Sequence, residues 1–276
     1  MELYQSHYDN AIAFYDRGML DESIQEWRKV VNLKPKLAEA RYRLGQALYY
    51  HNRICDAIKE FRLALKFGLT EARVYESLGA VLLQKGAIQQ AISALQKAIE
   101  LDTTLTSAHN NLGYAYYQQE KYRQSVDEFE ESLRLNPHDE DALINLGSAL
   151  FRQDHLDEAT RYYNEALKIN SECDDAFHGL GTVLMKRGDL NTAAIQFHRA
   201  IDINPQNADA HAGMGYISYQ NKDFDKAISC YGKSVELDSK DSDAWYGLAS
   251  SYQANRERGK AIRLLLRMLM RVNYFR

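Results

Sequence analysis

The sequence predicts an all-α array of helical hairpins, and three observations carry that expectation. Gly45, Gly79, Gly113, Gly147, Gly181 and Gly215 lie 34 residues apart, and Ala249 continues the series. Twelve residues after each stands a small residue: Ala57, Ala91, Ser125, Ala159, Ala193, Ala227 and Ala261. Four residues further on comes a large apolar one, in order Phe61, Leu95, Phe129, Tyr163, Phe197, Tyr231 and Leu265. A fixed period of this length marks a repeat architecture. Counted in both directions, the register gives eight units without insertion or deletion: 4–37, 38–71, 72–105, 106–139, 140–173, 174–207, 208–241 and 242–275. The units make one domain of residues 1–276 and leave no room for a second.

Taken in chain order, each unit reads as a helix, a turn, a second helix and a stop. Apolar residues recur at helical spacing, as in Phe129 and Leu133 or Phe197 and Ile201. Gly18, Gly86 and Gly188 fall between the two helices, at position 15 of their units. The pairs Asn136-Pro137 and Asn204-Pro205 stop the second helix, and all three prolines, Pro35, Pro137 and Pro205, share one repeat position. Gly at position 8 and Ala or Ser at positions 20 and 27 let two helix backbones come close where a larger side chain would wedge them apart.

This pattern of Leu-Gly, Tyr, Ala, a large apolar residue, Ala and Pro at fixed offsets resembles the tetratricopeptide repeat family along nearly the whole chain. The resemblance implies a right-handed α-solenoid of eight 34-residue helix-turn-helix repeats, with first helices lining a concave groove and second helices forming the convex back. One hairpin cannot bury its own apolar face, so stability comes from stacking neighbours. It also implies a protein or peptide partner held in the groove, as in a scaffold, adaptor or assembly factor. An alternative is a regulatory or targeting module of a larger enzyme, as where such repeats precede a glycosyltransferase domain.

Composition and motifs exclude other classes. A formal net charge of -4 argues against a sequence-independent grip on nucleic acid, which needs a broad basic surface. Cys55, Cys173 and Cys230 cannot all pair within one chain and lack CxxC spacing, so they read as reduced thiols in the cytoplasm. No apolar run approaches the length that crosses a bilayer. The GLG at 179–181 and GMG at 213–215 lie inside first helices, with no preceding strand and no third glycine, so they are not a dinucleotide loop. The eight histidines are scattered, and His178 and His211 read as packing residues. No catalytic residue, metal or cofactor is expected, and the chain reads as non-enzymatic.

The family resemblance places positions 2, 5, 6, 9, 12 and 13 of each unit in the groove. The candidates there are Tyr42, Asn110, Asn111, Tyr114, Asn145, Tyr216 and Tyr246. A side-chain amide donates to and accepts from a peptide backbone at once, which suits Asn111 and Asn145 at one repeat position. Tyrosine supplies rigid area and one hydroxyl; Tyr116, by contrast, reads as core. Gly179, Gly213 and Gly247 occupy position 6, on the same expected surface. Asp141, Asp175, Asp209 and Asp243 recur at position 2, where the first turn of a helix favours negative charge. Position 5 carries no Lys, so the two-carboxylate clamp of some co-chaperones in the family is absent.

The last helix departs from the pattern. The run AIRLLLRMLMRVNYF is apolar nearly all round, with Leu264, Leu266 and Met270 beside Arg263 and Arg267. Leaving those three apolar side chains in water forgoes roughly 1.5 to 3 kcal/mol each. This C-terminal patch is therefore expected to be covered by a second copy, a partner protein, a further domain or an anionic membrane surface.

Overall fold

The computed structural model describes residues 3–257, 260 and 261. Its α-helices divide between two compact units, 1–142 and 143–276. The first contains α1 (Leu3–Asp16), α2 (Leu20–Leu33), α3 (Ala38–Tyr50), α4 (Ile54–Lys66), α5 (Ala72–Gln84), α6 (Ile88–Leu101), α7 (Thr106–Gln118) and α8 (Tyr122–Leu135). The division falls inside α9 (Glu140–Arg152). The second unit continues with α10 (Leu156–Ile169), α11 (Asp174–Lys186), α12 (Leu190–Ile203), α13 (Ala208–Gln220), α14 (Phe224–Leu237) and α15 (Ser242–Ala254). Among the described residues there is no strand, and the chain is the all-α repeat solenoid that its register predicts. In the first unit α1 packs on α2, α3 on α4, α5 on α6 and α7 on α8, and each second helix then meets the next first helix. In the second unit α11 packs on α12 and α13 on α14, and α11, α13 and α15 adjoin in turn.

The turn inside the hairpins is stricter than its glycines suggest. Position 15 has positive φ in every repeat frame: Gly18, Gly86 and Gly188 at 73°, 77° and 83°, but also Asn52, Glu120, Asp154, Lys222 and Arg256 at 59° to 69°. A left-handed residue is the only way to turn the chain within these few positions, and a Cβ there costs about 1 kcal/mol or more. Glu120→Gly and Lys222→Gly are therefore expected to raise stability by about 1 kcal/mol each, less the extra freedom glycine gives the unfolded chain. Thermal melting checks this, and a fall in Tm for both variants counts against it.

The second helix stops in a recurring way. Asp102, Asn136, Asn170, Asn204 and Asp238 at position 31 each accept a hydrogen bond from the backbone N–H two residues on, at 2.8 to 3.3 Å. The short polar side chain thus replaces the next helical turn. The close helix approach predicted from the small residues is also present. Ser23 and Ser125 at position 20 are fully buried and donate to the carbonyls of Ala11 and Gly113 at 2.8 Å, joining the two helices of a hairpin.

The core of the second unit is built on rings lodged between glycines. A Cβ at Gly181 would lie 2.7 Å from the Phe197 ring, and a Cβ at Gly213 would lie 2.6 Å from it. Tyr163 sits in the same way between Gly147 and Gly179, and Tyr231 between Gly215 and Gly247. Each ring therefore packs on position 8 of its own hairpin and on position 6 of the next. In the first unit Phe61, Leu95 and Phe129 press on Gly45, Gly79 and Gly113, but position 6 of the following repeat carries Ser77 or Asn111.

Candidate functional site

In the first unit the candidates separate into buried and exposed groups. Tyr42 differs from the expectation of an open groove residue: it is only 4% exposed, because side chains from two repeats close over it. Its ring packs on Phe61 with centroids 5.8 Å apart, Arg73 lies 4.8 Å above it, and Gln46 donates to its hydroxyl at 2.9 Å. Arg73 is itself held by Glu39 at 2.9 Å and Glu71 at 2.6 Å. Tyr42 is therefore part of the joint between repeats. Tyr114 is 41% exposed, with its hydroxyl accepting from Gln118 at 2.8 Å. Asn110 and Asn111 are half-buried on the same helix, α7. Tyr116 is in the core, as its spacing predicts, and accepts from Gln96 at 3.0 Å.

In the second unit Tyr216 and Tyr246 are 40% and 69% exposed, on the adjoining helices α13 and α15. Neither hydroxyl makes a hydrogen bond among the described residues. Asn145 is half-buried on α9. The position-6 glycines are packing residues and not groove lining: Gly179 and Gly213 are buried, and all three, Gly247 included, give up their side-chain space to a ring of the preceding repeat. The position-2 aspartates Asp141, Asp175, Asp209 and Asp243 lie in the first turns of their helices, as their spacing predicts. Asn207 accepts from the Ala210 N–H at 2.8 Å and Asp241 from the N–H groups of Asp243 and Ala244, so these residues cap α13 and α15. Asp209 and Asp243 are left exposed in the first turn, where they act through the helix dipole alone. Asn207 also donates to Asp174 at 2.8 Å, a joint between repeats that sequence reasoning passed over. Its signal was an Asn or Asp ending units 6 and 7.

His178 packs on Phe197, with centroids 5.9 Å apart, and its Nε2 lies 3.3 Å from the Thr182 hydroxyl. Burial holds its pKa below the usual 6.5, while Asp209, Asp175 and Asp174 pull it upward. The folded chain takes up this proton later than the unfolded chain as pH falls. The contribution to stability is complete above pH 6.5 and is lost as pH drops toward the folded value. His178→Gln is expected to flatten the decline of Tm on acidification relative to the parent chain; parallel melting curves across that range contradict this.

The second-helix side of the first unit has its own irregularity. Position 4 pairs with position 23 as His7 with Glu26 at 2.5 Å, Arg41 with Glu60 at 2.8 Å and His109 with Glu128 at 2.7 Å. Repeat 3 has Tyr75 and Ala94 there, and a cavity of about 570 Å³ opens along them. Among the described residues no group of three or more His, Cys, Asp or Glu side chains is placed to hold a metal, and no helix is long and apolar enough to cross a membrane. The expected patch at Arg263, Leu264, Leu266, Arg267 and Met270 lies outside the described residues.

Paired helices stacked at a constant register, with aromatic side chains left open on first helices, define the helical-repeat class of protein-interaction module. The sequence matches the model described as Tetratricopeptide repeat over residues 110–172, and the TPR repeat model over 11–52, 79–120, 181–222 and 215–255. The chain belongs to the tetratricopeptide repeat family. No curated protein matches its sequence. Among solved structures, a tetratricopeptide repeat protein from Parabacteroides merdae ATCC 43184 is similar with a TM-score of 0.76 at 14% identity, covering 90% of this chain and 98% of that one. The MamA protein is similar with a TM-score of 0.56 at 25% identity, covering 61% of this chain and 92% of that one. A chain of the APC/C hetero-tetramer Cut9-Hcn1 is similar with a TM-score of 0.73 at 18% identity, covering 87% of this chain and 48% of that one.

Proposed function

We propose that the chain is a non-catalytic scaffold, adaptor or assembly factor that holds a polypeptide along its first helices. The observation that carries this reading is the contrast among tyrosines. Tyr116, Tyr163 and Tyr231 are used up in packing, whereas Tyr216 and Tyr246 present their rings and hydroxyls to solvent on adjoining helices. Exposed rigid rings with one polar atom are what partner surfaces use, since each buries much area at little entropic cost. Asn111 and Asn145 add side-chain amides, groups that carry both donors and an acceptor. The free carboxylates of Asp209 and Asp243 give the second unit's face a negative edge that suits a basic segment. Cys55, Cys173 and Cys230 are not joined in disulfides, which supports a reducing compartment such as the cytoplasm.

The test is affinity capture from the native source followed by quantitative binding to the recovered partner. Tyr216→Ser with Tyr246→Ser is expected to weaken binding about tenfold or more with only a small change in Tm, because both residues are exposed. Asn111→Ala and Asn145→Ala are expected to weaken it by smaller factors. Unaltered affinity in all of these variants removes the first-helix faces from the site.

A further inference from the structure

The first hairpin departs from the ring-between-glycines arrangement. Its position-24 residue is Trp27, and the flanking positions are Ala11 and Arg43 where Phe197 has two glycines. Tyr8 meets the indole edge-on, with centroids 4.8 Å apart. The remaining space is not filled. A cavity of about 130 Å³ lies there, lined by Ile12, Tyr15 and Asp16 of α1, Trp27 of α2, and Arg43 and Gln46 of α3.

The donors and acceptors around this cavity are unevenly satisfied. Trp27 is 1% exposed, yet its Nε1–H makes no hydrogen bond among the described residues, whereas Trp245 Nε1 donates to the Ser239 carbonyl at 3.1 Å. Covering the Trp27 N–H without giving it an acceptor costs about 1–3 kcal/mol. The Trp27 nitrogen keeps some accessible surface, unlike the sealed-in, unpartnered Gln153 Nε2 and Ser234 Oγ, and the indole forms part of the cavity wall. Arg43 donates through Nε to Glu39 at 2.9 Å and through Nη1 to Gln46 at 3.4 Å, which leaves Nη2 available. Gln46 is already engaged at both ends, by Arg43 and Tyr42. Asp16 is the one carboxylate of the lining, exposed and without a partner among the described residues.

This lining discriminates among side chains. A carboxylate gains from Arg43 but faces Asp16, and an ammonium gains from Asp16 but faces Arg43. An apolar group leaves the Trp27 N–H unmatched. A neutral carboxamide offers an oxygen to the Trp27 and Arg43 donors and N–H groups to Asp16. The volume, about four waters' worth, is that of one such side chain. We propose that this cavity receives an Asn or Gln side chain projected by the bound polypeptide. The proposal rests on the reading that a polypeptide lies along the first helices, and it assigns the first unit a specificity pocket.

The chain has two tryptophans, so a ¹H–¹⁵N NMR spectrum contains two indole N–H signals. Trp27→Phe assigns them, or Trp245→Phe if the former does not fold. Propionamide, propionate and propylammonium are titrated into the full chain as isosteric probes. Propionamide is expected to move the Trp27 signal saturably, at about fivefold lower concentration than either charged probe, with Trp245 unmoved. Asp16→Asn is expected to narrow the margin over propionate. No saturable shift at Trp27, an equal shift at Trp245, or propionate binding as well as propionamide overturns the proposal. These probes need no partner, so failure of the pocket and failure of the first-helix reading are separately visible.

Discussion

Phe197→Ala is expected to cost about 3–5 kcal/mol of stability, the range for removing a fully buried ring. Phe197 has no exposed surface, and its ring fills the space left by Gly181 in its own hairpin and by Gly213 in the next. Truncation therefore empties both the α11–α12 joint and the joint to α13. Backbone glycines on both sides cannot move side chains inward, so the cavity stays open. Denaturant unfolding followed by hydrogen exchange reads both the magnitude and its location. A loss under about 1 kcal/mol, or one spread evenly over the chain, contradicts the role given to the ring.

The second large effect comes from adding an atom. Gly213→Ala places a Cβ 2.6 Å from the end of the Phe197 ring, closer than carbon atoms approach, so the ring or the α13 backbone has to shift. Overpacking of this kind costs about 1–3 kcal/mol. In an ordinary mid-helix position the same change stabilises by roughly 0.5–1 kcal/mol, so the two explanations differ in sign. Combining Gly213→Ala with Phe197→Leu is expected to recover part of the loss, since a shorter side chain yields the space. Strict additivity of the two changes shows that they do not touch.

Much of this was legible in the sequence, and the part that was not has identifiable causes. The glycine period located the hairpins of the described residues because close helix approach leaves no alternative to a small residue at position 8. The turns at Glu120 and Lys222 were hidden, since a left-handed residue need not be glycine when packing on both sides enforces it. Gly179, Gly213 and Gly247 looked like groove floor because their period matched it. Only the ring of the preceding repeat explains them. Tyr42 and Tyr246 share position 5 and are indistinguishable by register. Arg73 and Gln46 cover the first, while the second projects beside Gly247. Long polar side chains reaching across repeats decide exposure, and a 34-residue period does not encode their reach. The pocket at Trp27 was hidden for the same reason, as it depends on Arg43 leaving space rather than on any motif.

The central claim is that the first helices, rather than the second, carry the partner. Photo-crosslinking tests it directly, with benzoyl-phenylalanine placed at Tyr114, Tyr216 or Tyr246 on first helices and at the exposed Leu101 or Ile195 on second helices. The account predicts covalent capture of one partner from the first-helix positions and none from Leu101 or Ile195. Capture of that partner from the second-helix positions alone would contradict it.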